Sequence, residues 1–158
     1  MTASIDQNLF SQALLDIFDE VFETHHGIFL DKGNSLFDTL ESISSVEASR
    51  PVGGKCASLA AQVAHVAYYL DVLEHYILEQ DTGKVDWSES WRTVQEVTPQ
   101  EWVDLKLKLR QKYGRMLTTF RDLESWNNEN AIGGAIAIAV HSAYHLGEIR
   151  QALCTIKE

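Results

Sequence analysis

Lysine and arginine are scarce in this chain of 158 residues. Its 13 lysines and arginines are outnumbered by 23 aspartates and glutamates, which gives a formal net charge of −10. The sequence contains no block of basic residues. We therefore expect neither nucleic acid nor an anionic membrane surface as a binding partner.

Cysteine, proline and long apolar runs are also rare. The two cysteines, Cys56 and Cys154, form no paired motif, which predicts reduced thiols in a cytoplasmic protein. No apolar run approaches the roughly 20 residues of a membrane helix. The N-terminal residues lack the basic and apolar segments of a signal peptide. We expect a cytoplasmic protein with a single domain over residues 1–158.

Apolar residues recur at intervals of three and four along most of the chain, which predicts helices. The predicted helices are Ile5–Thr24, Asn34–Ser45, Cys56–Glu79, Thr98–Leu123 and Glu129–Ile156. Residues 44–55 are predicted as a connection and residues 85–91 as an ordered loop, and Gly27 is predicted to stop the first helix. Four long helices and one short helix predict an all-α fold, a four-helix bundle with a short extra helix.

Two histidines lie four residues apart on the last predicted helix, at His141 and His145. Residues at this spacing share one face of a helix, roughly one turn apart. Two imidazoles placed in this way can bind one cation together. Such a pair also occurs by chance, so the spacing alone leaves both interpretations open.

His65 is the candidate for a third ligand, because it lies in the middle of a predicted helix on an apolar face. His75 is rotated about 80° from it on the same helix. A single inward histidine is also typical of a hydrogen-bonded core residue. If His65 faces the histidine pair, three ligands leave an open position for water or substrate. The ligands must be neutral, so metal affinity is expected to fall below about pH 6.5.

Three segments together resemble the DinB/YfiT-like superfamily: Gly54–His65, the loop Asp86–Trp91, and His141–Arg150. The resemblance implies a four-helix bundle with up-down-down-up arrangement and one divalent metal ion. It implies as ligands the three histidines His65, His141 and His145. Imidazole suits several metals, and we expect zinc or nickel first, with iron or manganese as alternatives. The resemblance also implies a metal-dependent enzyme that activates water or a low-molecular-weight thiol, of the hydrolase or thiol-dependent transferase type.

Several other residues are candidates for roles near this site. Glu148 is a candidate proton-transfer group or hydrogen-bond acceptor for a ligand imidazole; the alternative is an ordinary charged residue. Gln62 and Tyr69 flank His65 on the helix and are candidates for substrate binding, with core packing as the alternative. Gly147 is predicted to let a neighbouring helix approach closely.

Two other functional interpretations follow from the residues. Glu23 and His26 form one E-x-x-H motif, but di-iron bundles need two such motifs, so we reject that class. A non-catalytic, stress-responsive bundle that binds a metal or small ligand remains the alternative to an enzyme. We also expect a homodimer, because residues 131–140 with Trp102 and Trp126 offer more apolar surface than one bundle needs.

Overall fold

The computed structural model describes residues 5–157. The predicted domain also includes residues 1–4 and Glu158, which lie outside the described residues. Within 5–157 the chain forms seven helices and no β-strand, so the all-α prediction is confirmed. The helices are α1 (Gln7–Phe22), α2 (Leu36–Glu41), α3 (Ser45–Ala48), α4 (Leu59–Ile77), α5 (Glu89–Thr93), α6 (Pro99–Asp122) and α7 (Glu129–Ile156).

Side-chain caps explain where the long helices begin. Thr98 accepts a hydrogen bond from the backbone of Glu101, whose carboxylate accepts one from the backbone of Thr98, so a capping box opens α6. Asn128 caps α7 by accepting from the backbone N–H of Ala131. Ser58 caps α4, so this helix begins at Leu59, three residues after the predicted start.

The short helices differ from the prediction. The predicted helix over 34–45 contains only α2, whose six residues end at Glu41. The predicted connection contains α3, which a capping box between Ser44 and Glu47 stabilises. The predicted loop over 85–91 leads into α5. Elements this short carry too few apolar residues to show a helical period.

The observed end of α1 lies two residues before the predicted Thr24, and Gly27 does not cap the helix. Gly27 does have a positive φ of 74°, but α1 ends five residues earlier, at Phe22. The cause is Glu20, which is fully buried. Its carboxylate accepts hydrogen bonds from the backbone N–H groups of four consecutive residues, Gly27 to Leu30. These bonds fold the following segment back against the last turn of α1.

The four long helices pack against one another. Both α1 and α4 contact both α6 and α7. The core between them contains the rings of Phe18, Phe22 and Phe120, none of which is exposed. The close approach of α4 and α7 needs a glycine at Gly134, because an added Cβ would lie 2.8 Å from Cγ1 of Ile77.

Two tryptophans expected at the surface belong to the core. Trp102 is 3% exposed and Trp126 is 7% exposed, and the Trp102 indole N–H donates to the carbonyl oxygen of Ile43 at 2.8 Å. They therefore contribute nothing to an apolar surface for a second subunit. On α7, Val140 and Tyr144 are both more than 60% exposed. Among the described helices, none has the length and hydropathy to span a membrane.

Candidate metal centre

Three histidines from two helices converge where α4 packs against α7. His65 lies on α4, and His141 and His145 lie one turn apart on α7. Each offers one nitrogen atom to the group, and these three atoms lie within 4.8 Å of one another. The Nε2 atoms of His65 and His141 are 3.2 Å apart. The three residues expected to share a cation thus lie together.

The distance between these two nitrogens fits a shared metal ion. A tetrahedral zinc ion with bonds of about 2.0–2.1 Å places two of its ligands about 3.4 Å apart. The observed 3.2 Å needs only a small adjustment to reach this value. Three imidazoles with no carboxylate ligand suit zinc, nickel or iron better than magnesium or calcium.

The outer nitrogens of two of the histidines have hydrogen-bond partners. Nδ1 of His65 lies 3.2 Å from Oγ of Ser90, and Nδ1 of His145 lies 2.9 Å from Oε2 of Glu148. Oε1 of Gln62 is 3.4 Å from the same Nδ1 atom of His145. These contacts favour the tautomer that carries its proton on Nδ1 and leaves Nε2 free to bind a cation. Nδ1 of His141 is buried and has no partner within residues 5–157.

Aromatic rings stack on two of the imidazoles. The ring of Tyr69 is nearly parallel to that of His141, with centroids 3.6 Å apart and an angle of 8°. Trp91 stacks on His65 with centroids 4.3 Å apart. Stacking on a packed ring limits rotation about the χ2 angle of each histidine, so the ring orientations are fixed before any ligand binds.

Burial keeps all three imidazoles neutral at physiological pH. Burial and the neighbouring His145 lower the pKa of His65 from 6.5 to about 4. Burial and the other two histidines lower the pKa of His141 to about 3. The pKa of His145 is also lowered, because the effect of burial outweighs that of the nearby Glu148 carboxylate, which favours the protonated imidazole. Neutral imidazole is the form that binds a metal.

An open cleft of about 820 Å³ adjoins the histidines. Gln62, Trp91, His145 and Glu148 are in its wall. We call this space, bounded by α7, the start of α4 and α5, the metal cleft. The hydroxyl of Tyr144, also in its wall, donates to Oε1 of Glu148 at 2.6 Å. Of the three histidines, His145 is the one in the wall of the metal cleft, so a small molecule there meets the histidine cluster through this residue.

The other residues predicted to lie near the site differ in how well their observed contacts match the prediction. Gln62 and Glu148 both contact His145. Tyr69 contacts His141 rather than His65, from which its ring centroid is 6.4 Å distant. Gly147 was predicted wrongly, because no atom of residues 5–157 lies within 4 Å of a Cβ added there, so none of the described helices packs against it.

Sequence reasoning missed Ser90 and the stacking of Trp91, both from α5. The aromatic residues of this segment were visible, but they show no period that predicts a direction for their side chains. Tyr144 was missed as well, although it lies four residues before Glu148, the spacing at which helix side chains meet.

Comparison with protein-family models, with curated proteins and with solved structures finds no match to this chain.

Proposed function

We propose that the protein is a divalent-metal-dependent enzyme of the DinB/YfiT-like type, in which His65, His141 and His145 hold one ion. The observation that carries the proposal is the convergence of these three neutral imidazoles beside a cleft open to solvent. Zinc or nickel is the expected ion, with iron or manganese as alternatives. The substrate is a small molecule, and the reaction is of the hydrolase or thiol-dependent transferase type.

The chemistry of the bound ion would be to lower the pKa of a water molecule or a low-molecular-weight thiol at its open position. The surrounding residues have supporting roles. Glu148 holds the Nδ1 proton of His145, which directs Nε2 of that ring into the site. Ser90 does the same for His65. Trp91 and Tyr69 cover the faces of two imidazoles and limit the access of water.

The helix contacts support the bundle that the family resemblance implies. Each of α1 and α4 lies against both α6 and α7, as expected when four helices surround one core. The up-down-down-up arrangement, the cytoplasmic location and the homodimer are parts of the same proposal.

The contacts of Glu148 favour the alternative function, a metal- or ligand-binding bundle without catalytic activity. In the part of the chain that the structure describes, Glu148 is the only acidic residue in the wall of the metal cleft. Both of its carboxylate oxygens already have partners, His145 and Tyr144. A carboxylate held in this way orients a ligand well but is less available to transfer protons to a substrate.

The test compares His141→Ala with His75→Ala. His75 lies on α4, is half-buried and stands outside the histidine cluster, so it is a matched control. We expect His141→Ala to lose bound metal while circular dichroism shows an unchanged helical content, because the apolar core stabilises the bundle. His75→Ala should keep the metal. Full metal content in the His141→Ala protein contradicts the ligand assignment.

A screen of the metal-loaded protein with thiol and ester substrates separates the two functions. Turnover that His141→Ala abolishes supports the enzyme. A protein that binds metal tightly and leaves every thiol and ester unchanged supports the binding module.

A further inference from the structure

A second cleft lies beside the metal cleft, on the other side of α7. It has a volume of about 800 Å³ and lies between α2 and the C-terminal half of α7. We call it the basic cleft, because Arg150 and Lys157 are in its wall. Gly147 and Gln151 line both clefts, so the two spaces are separated only by the exposed surface of α7 at these residues.

Gly147 has no structural reason to be glycine. It lies inside a 28-residue helix, where glycine is among the least favourable residues. Its φ is not positive, and no atom of the described residues lies within 4 Å of an added Cβ, so neither the backbone nor the packing around it requires glycine. Because Gly147 has no side chain, the surface of α7 is recessed at the point where the metal cleft meets the basic cleft. A missing side chain lets a ligand approach the backbone closely.

The two clefts differ in charge. Among residues 5–157, Glu148 is the only charged residue in the wall of the metal cleft. The described residues in the wall of the basic cleft include two cations and one acid, Asp38, in a chain whose net charge is −10. The described residues in this wall thus carry one more positive than negative charge.

The cations of the basic cleft are held by neutral groups. Nη1 of Arg150 lies 3.4 Å from the hydroxyl of Thr39, and Nζ of Lys157 donates to the carbonyl oxygen of Ser42 at 3.0 Å. Neither forms an ion pair with a carboxylate in the part of the chain that the structure describes. Asp38 instead accepts a hydrogen bond from Oγ of Ser35 at 2.8 Å. The charge of Arg150 remains available to an anionic ligand.

We propose that the two clefts form one binding surface for an elongated anionic substrate. Its reactive group lies at the three histidines, its middle crosses α7 over Gly147, and its carboxylate pairs with Arg150. This inference rests on the proposed metal site, because it needs a reactive group held there. Arg150 follows His145 by five residues, about 7.5 Å along the helix. The shorter arc of about 140° between them passes the buried Leu146 and Ile149, so the exposed path over Gly147 covers about 220° and a compact substrate cannot reach both.

The test uses the protein loaded with Co²⁺ and three hydroxamates, which bind divalent ions through two oxygens. The first is acetohydroxamate, which is too short to leave the metal cleft. The second carries a terminal carboxylate on a spacer of about twelve to fourteen methylene groups, long enough for the exposed path across the helix. The third is the methyl ester of the second. The visible spectrum of Co²⁺ reports the binding of each.

The charge of Arg150 is tested first. We expect the wild-type protein to bind the carboxylate about tenfold or more tightly than its methyl ester, as a charge-assisted hydrogen bond provides. Arg150→Gln should remove this difference, and Arg150→Lys should retain part of it. Circular dichroism checks that both variants fold. Equal binding of the carboxylate and the ester by the wild-type protein overturns the inference.

The path over α7 is tested with a matched pair, Gly147→Met and Gly133→Met. Gly133 is also an exposed glycine of α7 with open space above it, but it lines neither cleft. Gly147→Met should weaken the long hydroxamates about tenfold or more and leave acetohydroxamate unchanged. Gly133→Met should change neither. Unchanged binding of the long probes by Gly147→Met overturns the path.

Failure of the metal site gives a different result. If the wild-type protein takes up no Co²⁺, the proposed function fails and this inference fails with it. If acetohydroxamate shifts the Co²⁺ spectrum and the long probes show no preference for the carboxylate, the metal site stands and only the inference is overturned.

Discussion

Lowering the pH is the sharpest test of how deeply the three histidines are buried. An ordinary imidazole with a pKa of about 6.5 is protonated about tenfold over the neutral form at pH 5.5. Three such ligands would lose metal affinity by about a thousandfold between pH 7.5 and pH 5.5. The sequence alone predicts this behaviour, with affinity falling below about pH 6.5.

The burial of the site changes this expectation. With a pKa of about 4, His65 is only about 3% protonated at pH 5.5. With a pKa of about 3, His141 is protonated even less. The pKa of His145 is also lowered. Protonation of His145 therefore reduces the metal affinity by less than the tenfold expected for an ordinary imidazole. We therefore expect zinc affinity to fall by less than about tenfold over this range, and steeply only near pH 4.

Equilibrium dialysis against buffered zinc at a series of pH values measures this directly, with circular dichroism to confirm that the helices persist. A loss of a hundredfold or more at pH 5.5, with unchanged helicity, refutes the buried site. The metal-free protein gives a second measurement of the same effect. Its unfolded chain binds protons below pH 6.5 that the folded histidines do not, so its stability is full above pH 6.5 and falls as the pH drops toward 4.

Three further predictions concern single features. Glu148→Gln should weaken zinc binding about tenfold and slow any turnover, since it disturbs the hydrogen bond to His145; equilibrium dialysis with unchanged affinity would contradict this role. Glu20→Gln should lower the free energy of unfolding in urea by about 1–3 kcal/mol, because an amide cannot accept all the backbone hydrogen bonds of the carboxylate. Burial opposes the ionisation of Glu20, but those bonds hold its pKa below the usual value, so this stabilisation should be lost as the pH falls through that lowered pKa. Sedimentation at tens of micromolar should show a homodimer, with the exposed Val140 at its interface; a monomer would count against it.

The long helices could be predicted because two independent signals agree on them. For α6, the apolar period and the Thr98–Pro99–Glu101 capping pattern fix the same start, and the observed helix ends within one residue of the prediction. The observed α7 has the predicted bounds. The end of α1 could not be predicted, because it depends on a carboxylate bonded to backbone groups seven to ten residues away.

The sequence could likewise predict one part of the candidate site and not the other. The direction of a side chain on a long helix follows from its position, so the sequence could place His65, His141 and His145 on inward faces. The contact of Ser90 with His65 depends on how α5 docks against α4, 25 residues apart in sequence. No local pattern encodes that docking. The role of Gly147 was predicted wrongly, because the sequence shows that a side chain is absent there. It does not show whether a neighbouring helix or open space takes the place of that side chain.

Two glycines of α7 illustrate how the helix serves packing and ligand access at once. Gly134 lies against Ile77 of α4, and its small size brings the two helices close together. It precedes His141 by seven residues, two turns along the same face, so this close approach also sets the distance across which His141 meets His65. Gly147, thirteen residues further along, faces open space beside the metal cleft. A side chain at Gly134 would disturb the core and the geometry of the histidines together, whereas one at Gly147 would change only what can lie across the helix.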